Sequence, residues 1–228
     1  WIPTITPVSR QAAFSGKIPA YFTETIYRTD RDECGWRQFW SDRGMQLDEV
    51  AFTSVRGDAG DMDKIESDLN HRVRAFACTI FKVDEIMHGV QVGAAGMAGQ
   101  VKTWAADGFL SALINRLLKE QFTIFLSADH GNVEAIGMGS PKEGALSEKK
   151  GERCRIFSDV KLRASVQSRS PDTLVWDHQG LPQDFHCLLA PPGKAFVSQG
   201  QTVICHGGTS IDEIIVPFIE IARRKVVY

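Results

Sequence analysis

Several apolar runs in this chain stop abruptly at chemically reactive residues, and that pattern restricts the fold more than any other feature. Residues 75–83 (Ala-Phe-Ala-Cys-Thr-Ile-Phe-Lys-Val) run into Asp84. Residues 122–128 run into Asp129-His130-Gly131, and the shorter run 202–205 ends at His206-Gly207-Gly208. A last run, 214–221, contains Pro217, which favours an edge or irregular strand. Between the first two runs, residues 101–120 carry Trp104, Leu110, Leu113, Ile114, Leu117 and Leu118 at helical spacing. Continuous apolar strands alternating with a helix predict an α/β fold with a mostly parallel central sheet flanked by helices. In such sheets ligands bind beyond the carboxyl ends of the strands. Asp84, Asp129, His130 and His206 fall there.

With 228 residues the chain can bury a substantial core, as one large domain or two small ones. Its net charge of −2 gives no global field toward DNA or an acidic membrane, although a local basic groove stays open. No run approaches the roughly 20 apolar residues that a membrane span needs, so no membrane partner is expected. The five cysteines are odd in number and contain no CxxC pair, and Cys78, Cys187 and Cys205 lie in apolar runs. That usage fits a reducing, cytoplasmic setting. Two regions read as peripheral. Residues 30–63 are charged and dotted with aromatics, as in a cap or helical excursion. Residues 137–151 are rich in glycine and charge, as in a mobile loop, and they lead into an insertion with Arg153, Arg155, Trp176 and His178.

Each reactive motif has a functional and a plain reading. Asp84-x-x-x-His88 puts a carboxylate and an imidazole within reach of one metal ion, or simply occupies a solvated loop. Asp129-His130 at a strand end can serve one ion, or two neighbouring ions, or cap a turn that Gly131 permits. His206 is either a turn residue among glycines or a third ligand on the same sheet edge. Asp, His and His together suit a divalent cation of the zinc or manganese type. Near the start, Pro7 suits the first position of a helix and places Thr6 at its N-cap. The same geometry sets a hydroxyl among free N–H groups, where a phosphoryl group is welcome and a metal could make the hydroxyl a nucleophile. Arg10, one turn on, could reach a phosphate oxygen.

The order of these motifs is more specific than any one of them. Pro-Thr-x-Thr-Pro before a helix, then Asp-x-x-x-His-Gly, Asp-His-Gly and a late His-Gly-Gly together resemble the alkaline phosphatase superfamily. Within it, "LSADHGNVEA" and "HGGTSIDEIIVPFIEI" are most similar to the PglZ-domain family, known from BREX-type phage-defence systems and some response regulators. The late His-Gly-Gly-x-Ser-x-x-Glu-x-x-x-Pro is the most specific piece.

The resemblance implies one alkaline phosphatase-like domain over 1–228, with 30–63 as cap and 137–200 as insertion. It implies two divalent cations, zinc first, with manganese or magnesium as alternatives. Thr6 would be the nucleophile and touch the first ion with Asp129 and His130, while Asp84, His88 and His206 would hold the second. Arg10, Arg153 or Arg155 could offset phosphate charge, or each could simply form a surface salt bridge. The implied reaction is phosphoester hydrolysis, on phosphodiester, nucleotide or nucleic-acid substrates, alongside other defence-system proteins. A phosphomonoesterase and a non-catalytic scaffold in a defence complex are the alternatives, and a threonine in place of Cys or Ser argues against a sulfatase. The family's aspartate at the end of a first strand, ahead of the nucleophile, has no counterpart here, so an N-terminal truncation is expected.

Overall fold

A computed structural model describes residues 1–89, 93–141, 145–147, 151–177 and 180–224. Along the chain run α1 (Thr6–Ser15), α2 (Asp32–Ser41), β1 (Val50–Val55), α3 (Met62–Asp68), β2 (Ala75–Ile80) and α4 (Lys82–Gly89). Next come α5 (Gly93–Ala106), α6 (Phe109–Lys119), β3 (Ile124–Ser127), β4 (Val133–Gly137), β5 (Ala145–Ser147) and β6 (Gly151–Phe157). The chain ends with α7 (Val160–Arg169), β7 (Leu174–Trp176), β8 (His186–Leu189), β9 (Lys194–Ala195), β10 (Thr202–Cys205), α8 (Ile211–Ile214) and β11 (Phe218–Ile221). It divides into two units, one of Trp1–Gly35 with Asp129–Val216, the other of Trp36–Ala128 with Pro217–Tyr228. No helix among the described residues is long and apolar enough to cross a membrane.

In the unit of Trp36–Ala128 with Pro217–Tyr228, β1 and β2 pair in parallel, from Val50 opposite Ala75 to Val55 opposite Ile80. β1 lies inside the 30–63 segment, where flanking charges hide its Val-Ala-Phe-Thr-Ser-Val run. β3 pairs antiparallel with β11, Ile124 opposite Ile221. The core is Val55, Ile65, Leu69, Trp104, Phe109, Leu113 and Leu117. The last three recur every fourth residue and form the buried stripe of α6. Each such side chain contributes about 1.5–3 kcal/mol through removal from water.

The helix expected over 101–120 is divided. α5 ends at Ala106, and Gly108, with φ 94°, turns the chain before α6. Glycine alone adopts that conformation without a Cβ clash. The strand expected over 75–83 stops at Ile80, because Lys82 already opens α4. In the 214–221 run, α8 ends at Ile214 and the strand begins only after Pro217.

In the unit of Trp1–Gly35 with Asp129–Val216, one sheet has the order β5-β6-β8-β7, all antiparallel, and a second has the order β10-β4-β9. Among the described strands, parallel pairing is confined to β1–β2 and β4–β9. β6 is buried along nearly its whole length, and its alternation separates two packing layers. Cys154 and Ile156 join Cys187 and Leu189 of β8 against Ile5 and Val8, which brings α1 onto this sheet. Phe157 and Leu188 pack instead with Val166 of α7 and Phe196. Pro7 lies in the first turn of α1, and Gly16 closes the helix at φ 64° with its N–H donating to Ala12 O. The five cysteines are free thiols. Residues 142–144 and 148–150 of the expected loop, and His178 of the insertion, lie outside the described residues.

Candidate functional site

The start of α1 departs from its sequence expectation in an informative way. Ile5, extended at φ −105° and ψ 140°, holds the N-cap position, and Thr6 is the first helical residue. Its hydroxyl is therefore not used as a cap. Thr6 Oγ1 lies 3.0 Å from His130 Nε2.

His130 is set by the turn between β3 and β4. Its Nδ1 is 3.1 Å from Gly131 O, and a carbonyl can only accept, so Nδ1 is the donor and Nε2 carries the lone pair. The backbone N–H of His130 donates to Asp129 Oδ1 at 3.1 Å, while Asp129 Oδ2 stands 3.6 Å from His130 Nε2. Gly131 is required by close approach: a β-carbon there would sit 1.9 Å from Asp212 O. Its N–H donates to Glu213 O at 2.9 Å.

His206, fully buried, follows β10 and stacks on His130 with ring centroids 3.8 Å apart and planes at 20°. Its Nδ1 donates to Thr4 O at 2.7 Å, which leaves Nε2 as the acceptor nitrogen. Thr4 Oγ1 accepts from Gly207 N and donates to Gly208 O, both at 3.0 Å. Glu213, also fully buried, accepts from Gly208 N at 2.6 Å, Ser210 N at 3.0 Å, Ser210 Oγ at 2.7 Å and Arg153 Nε at 3.1 Å.

The structure thus brings Thr6, Asp129, His130 and His206 together in one unit. Asp84 lies in the other unit, in the first turn of α4. His88 is on the same helix, and its side chain lies outside the described residues. Arg10, one turn beyond Thr6, is 8% exposed and its Nη2 forms an ion pair with Asp32. Arg153 is buried, with Nη1 donating to Lys194 O at 2.7 Å besides its bond to Glu213. Arg155 Nη2 donates to Pro141 O, from the face of β6 opposite to Cys154 and Ile156.

Sequence reasoning gave Thr4, Asp32 and Glu213 no role, although Thr4 stands inside the Pro-Thr-x-Thr-Pro motif and Glu213 inside the late His-Gly-Gly motif. Glu213 also had a local structural signal, because Ser210-x-x-Glu213 has capping-box spacing and the structure forms that box. Asp32 is 1% exposed, and its carboxyl is pushed up to about 6 by burial, with Arg10 opposing and Asp129 and Asp30 adding to the rise.

The donor set suits a divalent cation. Nitrogen and oxygen ligands of a tetrahedral ion at ~2.0–2.2 Å lie about 3.3–3.6 Å from one another. The separations of 3.0 Å and 3.6 Å from His130 Nε2 to Thr6 Oγ1 and Asp129 Oδ2 are close to that. Both imidazoles donate their second nitrogen to a carbonyl, as metal-binding histidines commonly do. Among the described residues no group of three or more His, Cys, Asp or Glu side chains is arranged to hold a metal ion, so this set is two such side chains and a hydroxyl.

A family model described as the BREX system PglZ alkaline phosphatase-like domain matches residues 1–221. The chain belongs to the PglZ family. Among solved structures, this PglZ chain is similar to murine ectonucleotide pyrophosphatase/phosphodiesterase 5, with TM-score 0.56 and 12% identity over 96% of this chain and 74% of that one. An inactive threonine-to-alanine variant of the murine protein in complex with AMP gives the same values: TM-score 0.56, 12% identity, and 96% and 74% coverage. The human counterpart has TM-score 0.54 and 11% identity, again over 96% and 74% of the two chains. No curated protein matches. The fold is α/β and alkaline phosphatase-like, and family and fold together support a function within the phosphoesterase superfamily.

Proposed function

We propose that this PglZ chain hydrolyses phosphoesters, phosphodiesters of the nucleotide or nucleic-acid type first, with Thr6 as nucleophile, in the cytoplasm as part of a BREX-type defence system. The observation that carries the reading is the Thr6 Oγ1 to His130 Nε2 distance of 3.0 Å at the first residue of α1. A hydroxyl used for capping would face the helix instead. Support for a diester substrate comes from the murine phosphodiesterase whose threonine-to-alanine variant is inactive and was seen with AMP.

In this mechanism Thr6 Oγ1 attacks phosphorus in line, the bond to the leaving alkoxide breaks, and a phosphoryl-threonine forms that water then cleaves. The Thr6 proton passes to solvent as the bond to phosphorus forms, and the Gly131 carbonyl holds the His130 ring in the tautomer whose Nε2 lone pair faces Thr6 Oγ1 and would serve a cation. Asp129 and His130, with the Thr6 hydroxyl, would hold a divalent cation. Such an ion, when bound, supplies positive charge that lowers the hydroxyl pKa and offsets charge on the phosphoryl oxygens. Thr6 also opens α1, and the N-terminus of a helix favours an anion. Arg10 adds positive charge one turn away, steadied by Asp32. Asp84 and His88 keep the metal-ligand role that motif order implies.

The test is hydrolysis of bis-p-nitrophenyl phosphate with added Zn²⁺ or Mn²⁺, native protein against Thr6→Ala, with metal content measured on both and on Asp84→Asn. We expect Thr6→Ala to lose at least a hundredfold in kcat while keeping its metal. Equal rates in the two proteins would remove Thr6 from the mechanism, and a metal-free, inactive native protein would favour a scaffold.

A further inference from the structure

Two histidines stack at the candidate site, yet neither is held by its own segment alone. Three hydrogen bonds join Thr4 to the loop after β10: His206 Nδ1 to Thr4 O, Gly207 N to Thr4 Oγ1, and Thr4 Oγ1 to Gly208 O. Thr4 is two residues before Thr6, so the His206 loop is indexed directly to the segment that begins α1. The far side of the same loop is gripped by Glu213, whose carboxylate takes the N–H groups of Gly208 and Ser210, and whose main-chain O takes Gly131 N beside His130. Arg153 closes the assembly. Its side chain reaches Glu213, and its main-chain N–H donates to His206 O at 3.1 Å. The loop between them has no slack. Gly207 adopts φ 110°, and a β-carbon on Gly208 would lie 2.6 Å from Arg153 Nε and 2.8 Å from Glu213 Oε2.

We propose that Thr4, Glu213 and Arg153 form one positioning unit that fixes the orientation and tautomer of His206 against His130 and Thr6, and that none of the three touches substrate. The proposal rests on the phosphoesterase reading for its effect on rate, but not for its effect on His206 itself. The loop is pinned from two sides by groups that are nearly excluded from water, Thr4 at 2%, Arg153 at 1% and Glu213 at 0% exposure. Buried hydrogen bonds of this kind fix a unique arrangement because leaving any member unpaired is costly. It also gives Arg153 work inside the protein, where its guanidinium is engaged by Glu213 and Lys194 O.

Thr4→Val separates orientation from folding. It keeps the shape of the side chain and the carbonyl that accepts from His206, and removes only the hydroxyl that ties Gly207 and Gly208. Thr4→Ser restores the hydroxyl. The readout is the nitrogen-15 spectrum of the histidine rings, together with kcat and KM on bis-p-nitrophenyl phosphate. In the native protein and in Thr4→Ser, His206 should be a single tautomer protonated on Nδ1. In Thr4→Val, and in Glu213→Gln if it folds, we expect mixed or exchange-broadened His206 signals and a kcat at least tenfold lower, with KM changed less than threefold. An unchanged His206 spectrum in folded Thr4→Val overturns the proposal, even if Thr6→Ala abolishes activity. A changed spectrum in a protein without phosphoesterase activity upholds it while removing the phosphoesterase reading.

Discussion

Two buried arginine–carboxylate pairs lie in the same unit and are built in opposite ways. Arg153–Glu213, with side chains 1% and 0% exposed, is fully answered: the carboxylate accepts from two backbone N–H groups and a hydroxyl as well as from the guanidinium. Arg10–Asp32, at 9% and 2%, is not. Asp32 Oδ2 faces Arg10, but Oδ1 accepts no hydrogen bond from the described residues, and the carboxyl pKa rises to about 6. Coulomb attraction in a dry interior repays desolvation only when the remaining lone pairs are also satisfied. The first pair is therefore a fixed joint. The second is a charge held under tension one helical turn from Thr6, and it feels the charge of Asp129.

The contrast makes specific predictions. The largest effect is expected for Glu213→Leu, which strands Arg153 as a buried, unpaired charge and removes acceptors from Gly208 and Ser210. Loss of about 3–5 kcal/mol is expected, read from urea unfolding. A smaller but substantial loss, about 1–3 kcal/mol, is expected for Gly131→Ala, because its β-carbon would lie 1.9 Å from Asp212 O and must push backbone aside. Thermal unfolding of the purified variant checks it, and wild-type stability would show that the turn can yield.

Asp32→Asn should give the smallest effect and the most diagnostic one. A carboxyl raised from 3.8 to about 6 binds more protons in the folded state, so its contribution is present below pH 4 and lost as pH rises through 6. Wild-type stability should therefore fall across that window. The asparagine variant, which cannot ionise, should lack this part of the fall and compare better with wild type at pH 7.5 than at pH 5. Parallel pH–stability curves for the two proteins would show that Asp32 does not titrate there.

The sequence carried much of this architecture, for identifiable reasons. The runs before Asp129 and His206 are read as strands because they are short, apolar and end in glycine-bearing turns, and β3 and β10 form there. β1 was hidden by the charged residues on either side. α4 was hidden because Lys82-Val83 extends an apolar run without a cap to mark a new helix. The site was legible as a set of residue types, since Thr6, Asp129, His130 and His206 stand out chemically. Their support was not. Thr4 meets Gly207 more than two hundred positions away, and Arg153 meets Glu213 across sixty. Asp32 is one acid in the string Asp30-Arg31-Asp32-Glu33, where nothing local tells which one is buried. Even Thr6 was placed one residue off, because a Thr-Pro pair fits both the N-cap with the first turn and the first turn alone.

The central claim is that Thr6 becomes covalently bonded to phosphorus during turnover. Acid quenching of the native protein with bis-p-nitrophenyl phosphate and Zn²⁺, followed by peptide mass spectrometry, tests it directly. The account predicts a phosphoryl adduct on the peptide containing Thr6, located to that residue by fragmentation and missing from Thr6→Ala. Turnover with no adduct on Thr6, or with the adduct on another residue, would contradict it.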